Sequence, residues 1–274
     1  MPFNMKKYYL LLFLFSYSCQ ELATKKEVAK VPESKVVKAV TEPTSSAIQP
    51  DSAITLDYIM GKFDPVTHAD FVRVDPPYSD GNNRYLHKET WKAFEKMYKA
   101  AKKDGVTLQI RSATRNFEAQ KGIWEAKWTG KRLVEEGENL AKTTPNPKKR
   151  ALKILRWSSM PSSSRHHWGT DIDINAFENS YFEKGKGLKE YNWLVQHGPS
   201  FGFCQPYTPK GPERPDGYNE EKWHWSYIPL AKKLSDQASI RFTDAMIQGF
   251  EGAEAAKEIG IVQKFVLGIN KECL

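Results

Sequence analysis

SSRHHWGTDIDIN, residues 163–175, changes character half-way along. Its first part gathers Ser164, His166 and His167 beside Trp168 and ends at Gly169. Its second part, from Gly169 to Asn175, alternates polar and apolar side chains. Alternation with a period of two is the pattern of a β-strand, so Asp171 and Asp173 point to one face and Ile172 and Ile174 to the other. Glycine at the junction lets the chain fold back on itself. Imidazoles on a turn that runs into a carboxylate-bearing strand suit three things: a metal site, the parts of a serine hydrolase, or a polar turn leading into a buried strand.

The flanking sequence supplies the elements around this strand. KETWKAFEKMYKAAKK (residues 88–103) sets Trp91, Phe94, Met97, Tyr98 and Ala101 at three-and-four spacing, which predicts a helix closed by Asp104-Gly105. VTLQIRSAT (106–114) alternates Val106, Leu108 and Ile110 against polar neighbours and predicts a half-buried strand. Asn116 then caps a helix over FEAQKGIWEAKW. Residues 129–162 are charged and proline-bearing, with a helix predicted through Lys149 to Trp157 and a turn at Met160-Pro161-Ser162. This segment is expected to act as a lid or wall that narrows access. EYNWLVQHGPSFGF predicts a helix and then a break, KWHWSYIP a second strand, and residues 229–270 mainly helix. There is no internal repeat and no regular βαβ alternation. The expected class is α+β, a small, mostly antiparallel sheet flanked by helices.

The chain has 274 residues, 40% of them hydrophobic and 12% aromatic, enough for one well-packed domain plus appended segments. Lys and Arg outnumber Asp and Glu by 41 to 33, a net charge of +8, but they are scattered, with no long basic helix or finger pattern. The expectation is a solvated basic surface and no nucleic-acid partner; the same balance suits an acidic polymer or a membrane surface. At the start, Lys6 and Lys7 precede YYLLLFLF, too short to span a bilayer stably, and Ser16 and Ser18 lead to Cys19. Residues 1–19 therefore predict an export signal, with Cys19 either the lipidated first residue of the mature chain or part of a plain secretory signal. Residues 20–54, without aromatics and rich in Lys, Glu, Ser, Thr and Pro, predict a tether, and 55–274 a folded domain ending in a helical extension. With Cys19 modified, Cys204 and Cys273 remain either as a disulfide in an oxidising compartment or as two buried thiols. No C-x-x-C exists, which excludes a thiolate zinc knuckle.

A catalytic zinc takes three protein ligands and leaves a fourth position to water or substrate. His166 and Asp173 offer two. His224 in EEKWHW offers the third, with Glu221 three residues before it as a carboxylate able to move a proton.

Ser164-Arg165-His166-His167-Trp168-Gly169-Thr170-Asp171-Ile172-Asp173 resembles the Ser-x-His-x-x-Gly-x-Ala-x-Asp motif of the zinc D,D-carboxypeptidases of peptidoglycan, a family with the hedgehog-type fold. Glu221-Lys222-Trp223-His224 resembles that family's Glu-x-Trp-His element, and SATRNFEAQ, with Arg115 five residues before Gln120, its Ser-x-x-Arg-x-x-x-x-Gln segment. The resemblance covers residues 60–230 and implies Zn2+ on His166, Asp173 and His224, with Glu221 as general base. It implies Arg115 as the stabiliser of the tetrahedral intermediate, and Ser164 and Gln120 as contacts to the terminal residue of a peptidoglycan stem peptide. The implied protein is an exported monomeric hydrolase removing a terminal D-Ala. L,D-carboxypeptidases and endopeptidases share these motifs, and a non-catalytic wall-binding zinc domain would keep the ligands while losing Glu221 or Arg115. A Ser164 nucleophile lacks the Gly-x-Ser-x-Gly elbow and gives EEKWH no role. One departure stands out: Asp171 occupies the alanine position on the same strand face as Asp173, either as a competing ligand or as an orienting partner for a ligating histidine.

Overall fold

The computed structural model describes residues 48–274 apart from Asn82. The export signal expected at 1–19 and most of the tether expected at 20–54 lie outside the described residues. Strands β1 (Phe71–Val74) and β2 (Arg84–His87) pair as an antiparallel ribbon. Strands β3 (Ile110–Ser112), β4 (Asp171–Ile174), β5 (Phe203–Cys204) and β6 (His224–Tyr227) form a second antiparallel sheet in the order β3-β4-β6-β5. The main helices are α1 (Lys88–Lys103), α2 (Phe117–Trp128), α3 (Pro147–Ile154), α4 (Gly185–His197) and α5 (Ile228–Arg241). The expected α+β class is what is found, and no helix among the described residues is long and apolar enough to cross a membrane.

Every residue of β4 is buried, which a half-buried alternating strand would not require. The reason is that the sheet is covered on both faces. Ile172 and Ile174 join Phe94 and Met97 of α1, Leu108, Ile110 and Trp225 in one apolar core. A second core gathers Trp124 and Trp128 of α2, Leu234 and Ala238 of α5, Trp168, and Val262, Phe265 and Val266 near the C-terminus. Asp171 and Asp173 therefore carry their charges into the interior and need partners there.

α1 covers the predicted residues, burying Phe94, Met97, Tyr98 and Ala101. Asn116 Oδ1 caps α2 by accepting from Ala119 N (2.9 Å). β3 is shorter than predicted. Val106, Leu108 and Ile110 are buried in alternation, but the side chain of Asn175 takes the place of a neighbouring strand: its Oδ1 accepts from Gln109 N (2.7 Å) and its Nδ2 donates to Thr107 O (2.9 Å). The helix predicted through Trp157 runs from Pro147 to Ile154. The mainly helical stretch predicted for 229–270 is one helix to Arg241 followed by short helical pieces, Ala255–Ile259 and Val262–Val266 among them. Gly249, Gly252 and Gly260 there adopt positive φ (92, 81 and 79°), which interrupts any longer helix.

Cys204 on β5 is bonded to Cys273, with Cα atoms 5.7 Å apart across a separation of 69 residues. This ties the C-terminal segment to the edge of the sheet. A crosslink closing a loop of that length stabilises mainly by restricting the unfolded chain, by at most about 4 kcal/mol. Cys273→Ser should lower the midpoint of urea unfolding and, by freeing the unfolded chain, raise its slope; reducing agent should have the same effect on the parent and none on the variant.

Candidate active site

His166 is set by one 3-10 turn, Arg165–Trp168, that ends at Gly169 in the left-handed conformation (φ 71°). A side chain at Gly169 would run into the ring of Phe71, so glycine is required there for space as well as for φ. Ring nitrogen Nδ1 of His166 donates to Ala113 O (2.9 Å), which turns Nε2 toward Asp173 Oδ2, 3.4 Å away. β4 and β6 pair with Asp173 opposite His224, and His224 Nδ1 lies 3.3 Å from Asp173 Oδ1. One ligand atom from each of these three residues falls within 4.8 Å of the others, and all three side chains are buried.

These separations fit an ion. Ligand atoms at ~2.0–2.1 Å from a tetrahedral zinc stand about 3.3 Å apart. Asp173 Oδ1 is buried and has no hydrogen-bond donor, an orphaned anionic oxygen that a cation would complete. Burial opposes the ionised form of Asp173, but His166 and His224 outweigh it and hold the carboxyl well below its ordinary range. Burial, helped by the charge of Arg115, lowers His166 and keeps it neutral, as a ligand must be. Burial alone would lower His224 too. Its contacts with Asp171, Asp173 and Glu221 instead raise it well above the usual imidazole value.

Glu221 sits on the turn before β6, where His224 N donates to Glu221 O (3.2 Å), and its Oε2 lies 3.1 Å from His224 Nδ1. Burial pushes its carboxyl above the ordinary value, toward what a proton-transferring group needs. Arg115 faces the cluster with Nη1 3.6 Å from Asp173 Oδ2. It is fixed from several sides: Nε donates to Gln120 Oε1 (3.0 Å), Nη1 to Ser112 Oγ (2.5 Å), and its backbone oxygen accepts from His167 Nδ1 (2.5 Å). Gln120 also donates to Ser159 O (2.8 Å), so both ends of its amide are engaged by protein. Ser164 is buried with its Oγ unpartnered, on the wall of a cleft of about 450 Å³ that also contains His166, Asp173, Glu221, His224 and Arg115.

A sequence profile described as VanY, D-alanyl-D-alanine carboxypeptidase, matches residues 83–230. The chain belongs to this family. It is 30% identical over 134 residues to a D-alanyl-D-alanine carboxypeptidase of Enterococcus faecalis, covering 49% of this chain and 45% of that one. It is 28% identical over 157 residues to the putative carboxypeptidase YodJ of Bacillus subtilis, covering 56% of this chain and 50% of that one. The chain thus spans about half the length of these curated relatives. Among solved structures, VanYB in complex with D-Alanine-D-Alanine superposes with a TM-score of 0.45 at 22% identity, over 63% of this chain and 86% of that one.

In this VanY-family chain Asp171 does not join the His166–Asp173–His224 cluster. It lies behind His224, where its Oδ2 accepts from Nε2 (2.8 Å), leaving Nδ1 as the nitrogen turned toward Asp173. Its other oxygen accepts from Thr170 Oγ1 and Ser226 Oγ, both at 2.7 Å. Arg165, fully buried, balances its charge: Nε reaches Asp171 Oδ2 at 3.3 Å while Nη1 and Nη2 donate to Ser235 and Ser226. The guanidinium also stacks 4.5 Å over Trp168. Ser226 is legible in retrospect, two residues past His224 on the same strand and paired with Asp171. Arg165 carries no such signal, because a turn residue's direction is not set by strand periodicity. Of residues 129–162, Trp157, Ser158 and Ser159 line the cleft together with the exposed Arg132, so part of the segment is the expected wall.

Removing Arg165 leaves Asp171 as a buried charge short of its main cation. Arg165→Met should therefore destabilise the protein by about 3–5 kcal/mol, read from urea unfolding of the metal-free form.

Proposed function

We propose that this protein is an exported, zinc-dependent D,D-carboxypeptidase that removes the terminal D-Ala from peptidoglycan stem peptides. The observation that carries it is that Glu221 Oε2 lies 3.1 Å from His224 Nδ1 and Arg115 Nη1 3.6 Å from Asp173 Oδ2, at the His166–Asp173–His224 cluster of a chain in the VanY family. A module that only bound the wall would have no use for a raised-pKa carboxylate and a clamped arginine at that point.

When bound, the zinc supplies Lewis acidity toward the scissile carbonyl and the attacking water. His166 Nε2, one oxygen of Asp173 and His224 Nδ1 would hold it. Asp171 keeps His224 in the tautomer that bears its proton on Nε2. Glu221 accepts a proton as water oxygen bonds to the carbonyl carbon, and returns it to the amide nitrogen as the carbon–nitrogen bond breaks, so the leaving D-amino acid departs as an amine. Arg115 stabilises the tetrahedral oxyanion. Because Ser112 and Gln120 already hold its guanidinium, no reorganisation is required when that charge develops. Attachment to a membrane through lipidated Cys19 belongs to the same proposal, since the substrate lies outside the cytoplasm.

Mass spectrometry of defined muropeptides after incubation with zinc-loaded protein tests this directly. Loss of one alanine from a pentapeptide ending in D-Ala-D-Ala is the expected result. Loss only from a tetrapeptide would reassign the protein as an L,D-carboxypeptidase, cutting within a cross-link as an endopeptidase, and no cleavage at one bound zinc as a binding module. Glu221→Gln should abolish turnover and keep stoichiometric zinc; retained turnover would remove Glu221 from its role. Asp171→Asn should weaken zinc binding roughly 10- to 100-fold in a chelator competition, the usual effect of losing an orienting carboxylate.

A further inference from the structure

The cleft holds more positive charge than its chemistry uses. Its two carboxylates, Asp173 and Glu221, are committed to His166, His224 and Arg115. On the wall built by α2 stands Lys127, half-buried, whose Nζ donates to Ser158 Oγ (2.5 Å) and forms no ion pair among the described residues. Gln120, Ile123 and Lys127, spaced by three and four along α2, share one helix face, and all three line the cleft. Exposed Arg132 lies on the same wall. Burial, with Arg132 and Arg115 nearby, lowers the ammonium of Lys127 to about 8, and Glu221 also acts on it, so Lys127 stands in the electrostatic neighbourhood of the reacting groups.

A lysine left half-buried against a hydroxyl is a costly arrangement unless an anion completes it. The surrounding donors point to the same need. Ser158 accepts from Lys127, which leaves its own proton to donate. Ser164 Oγ and the indole N–H of Trp157 are buried in the cleft lining without a partner. In a peptide losing its last residue, the terminal carboxylate lies only two bonds beyond the scissile nitrogen, so its anchor must stand beside the groups that act on the carbonyl.

We propose that Lys127, with Ser158 beside it, anchors the free C-terminal carboxylate of the departing residue and so makes this cleft an exopeptidase site for peptides with an unblocked carboxyl end. The proposal rests on the hydrolase reading above. Gln120, whose amide is occupied by Arg115 and Ser159, then acts on substrate through Arg115, and the carboxylate contact falls to the α2 residue two turns further on.

The test compares an acetylated peptide ending in D-Ala-D-Ala with the same peptide as its C-terminal amide, using zinc-loaded parent, Lys127→Met and Lys127→Arg. The parent should prefer the acid. In K127M the KM for the acid should rise roughly 10- to 100-fold with kcat changed far less, the loss expected for a charged hydrogen bond, and the acid-to-amide ratio of kcat/KM should fall toward one. K127R should recover most of that selectivity. Equal losses for acid and amide in K127M, or a parent that takes both alike, would overturn the proposal. Should K127M melt well below the parent, Lys127→Gln and Ser158→Ala carry the same comparison. If the parent cleaves neither peptide, the carboxypeptidase reading fails and calorimetry decides the anchor separately: acid-selective binding that K127M abolishes supports it, and equal binding of acid and amide sinks it.

Discussion

The pairing of β4 with β6 is the constraint on which the site depends. It sets Asp173 opposite His224 and Asp171 opposite Ser226 in one register. A slip by one residue would turn both aspartates into the apolar core and bring Ile172 and Ile174 to the charged face. The sheet tolerates two buried carboxylates because each is met at once: Asp173 by two imidazoles and Arg115, Asp171 by His224, two hydroxyls and Arg165.

The two carboxylates divide the work by environment. Asp171 is sealed among donors and fully buried, so it stays ionised, and in the proposed site it orients His224. Asp173 keeps one orphaned oxygen and faces the cleft. Glu221, lacking that density of donors, has its carboxyl raised by burial and in the proposed reaction is the one that exchanges a proton. Three acids within one small volume differ in role because they differ in the number and charge of the groups that solvate them.

Much of this was legible beforehand, and the limits are physical. Period-two alternation placed Asp171 and Asp173 on one face, and three-and-four spacing placed α1, because side-chain direction follows directly from backbone period. The alternation of Val106, Leu108 and Ile110 foretold burial but overstated the strand, since the partner there is the side chain of Asn175, a contact between residues 66 apart that no local pattern encodes. Whether Asp171 ligates or orients turned on which ring nitrogen of His224 faces which carboxylate, a matter of one side-chain rotation. The pairing of Cys204 with Cys273 likewise awaited the fold, because spacing says nothing about Cα separation.

The charge layout of the cleft follows from where its walls originate. The sheet and the turns leading into β4 and β6 bring the carboxylates and imidazoles; the turn between β3 and α2 brings Arg115, α2 brings Lys127, and the segment after it brings Arg132. Were these cations drawn in by Asp173 and Glu221 alone, the nearest would pair and the others would turn outward to water, where solvation costs nothing. Arg115 does pair. Lys127 stays half-buried on the cleft wall against the hydroxyl of Ser158, where the carboxylate of the proposed substrate would complete it.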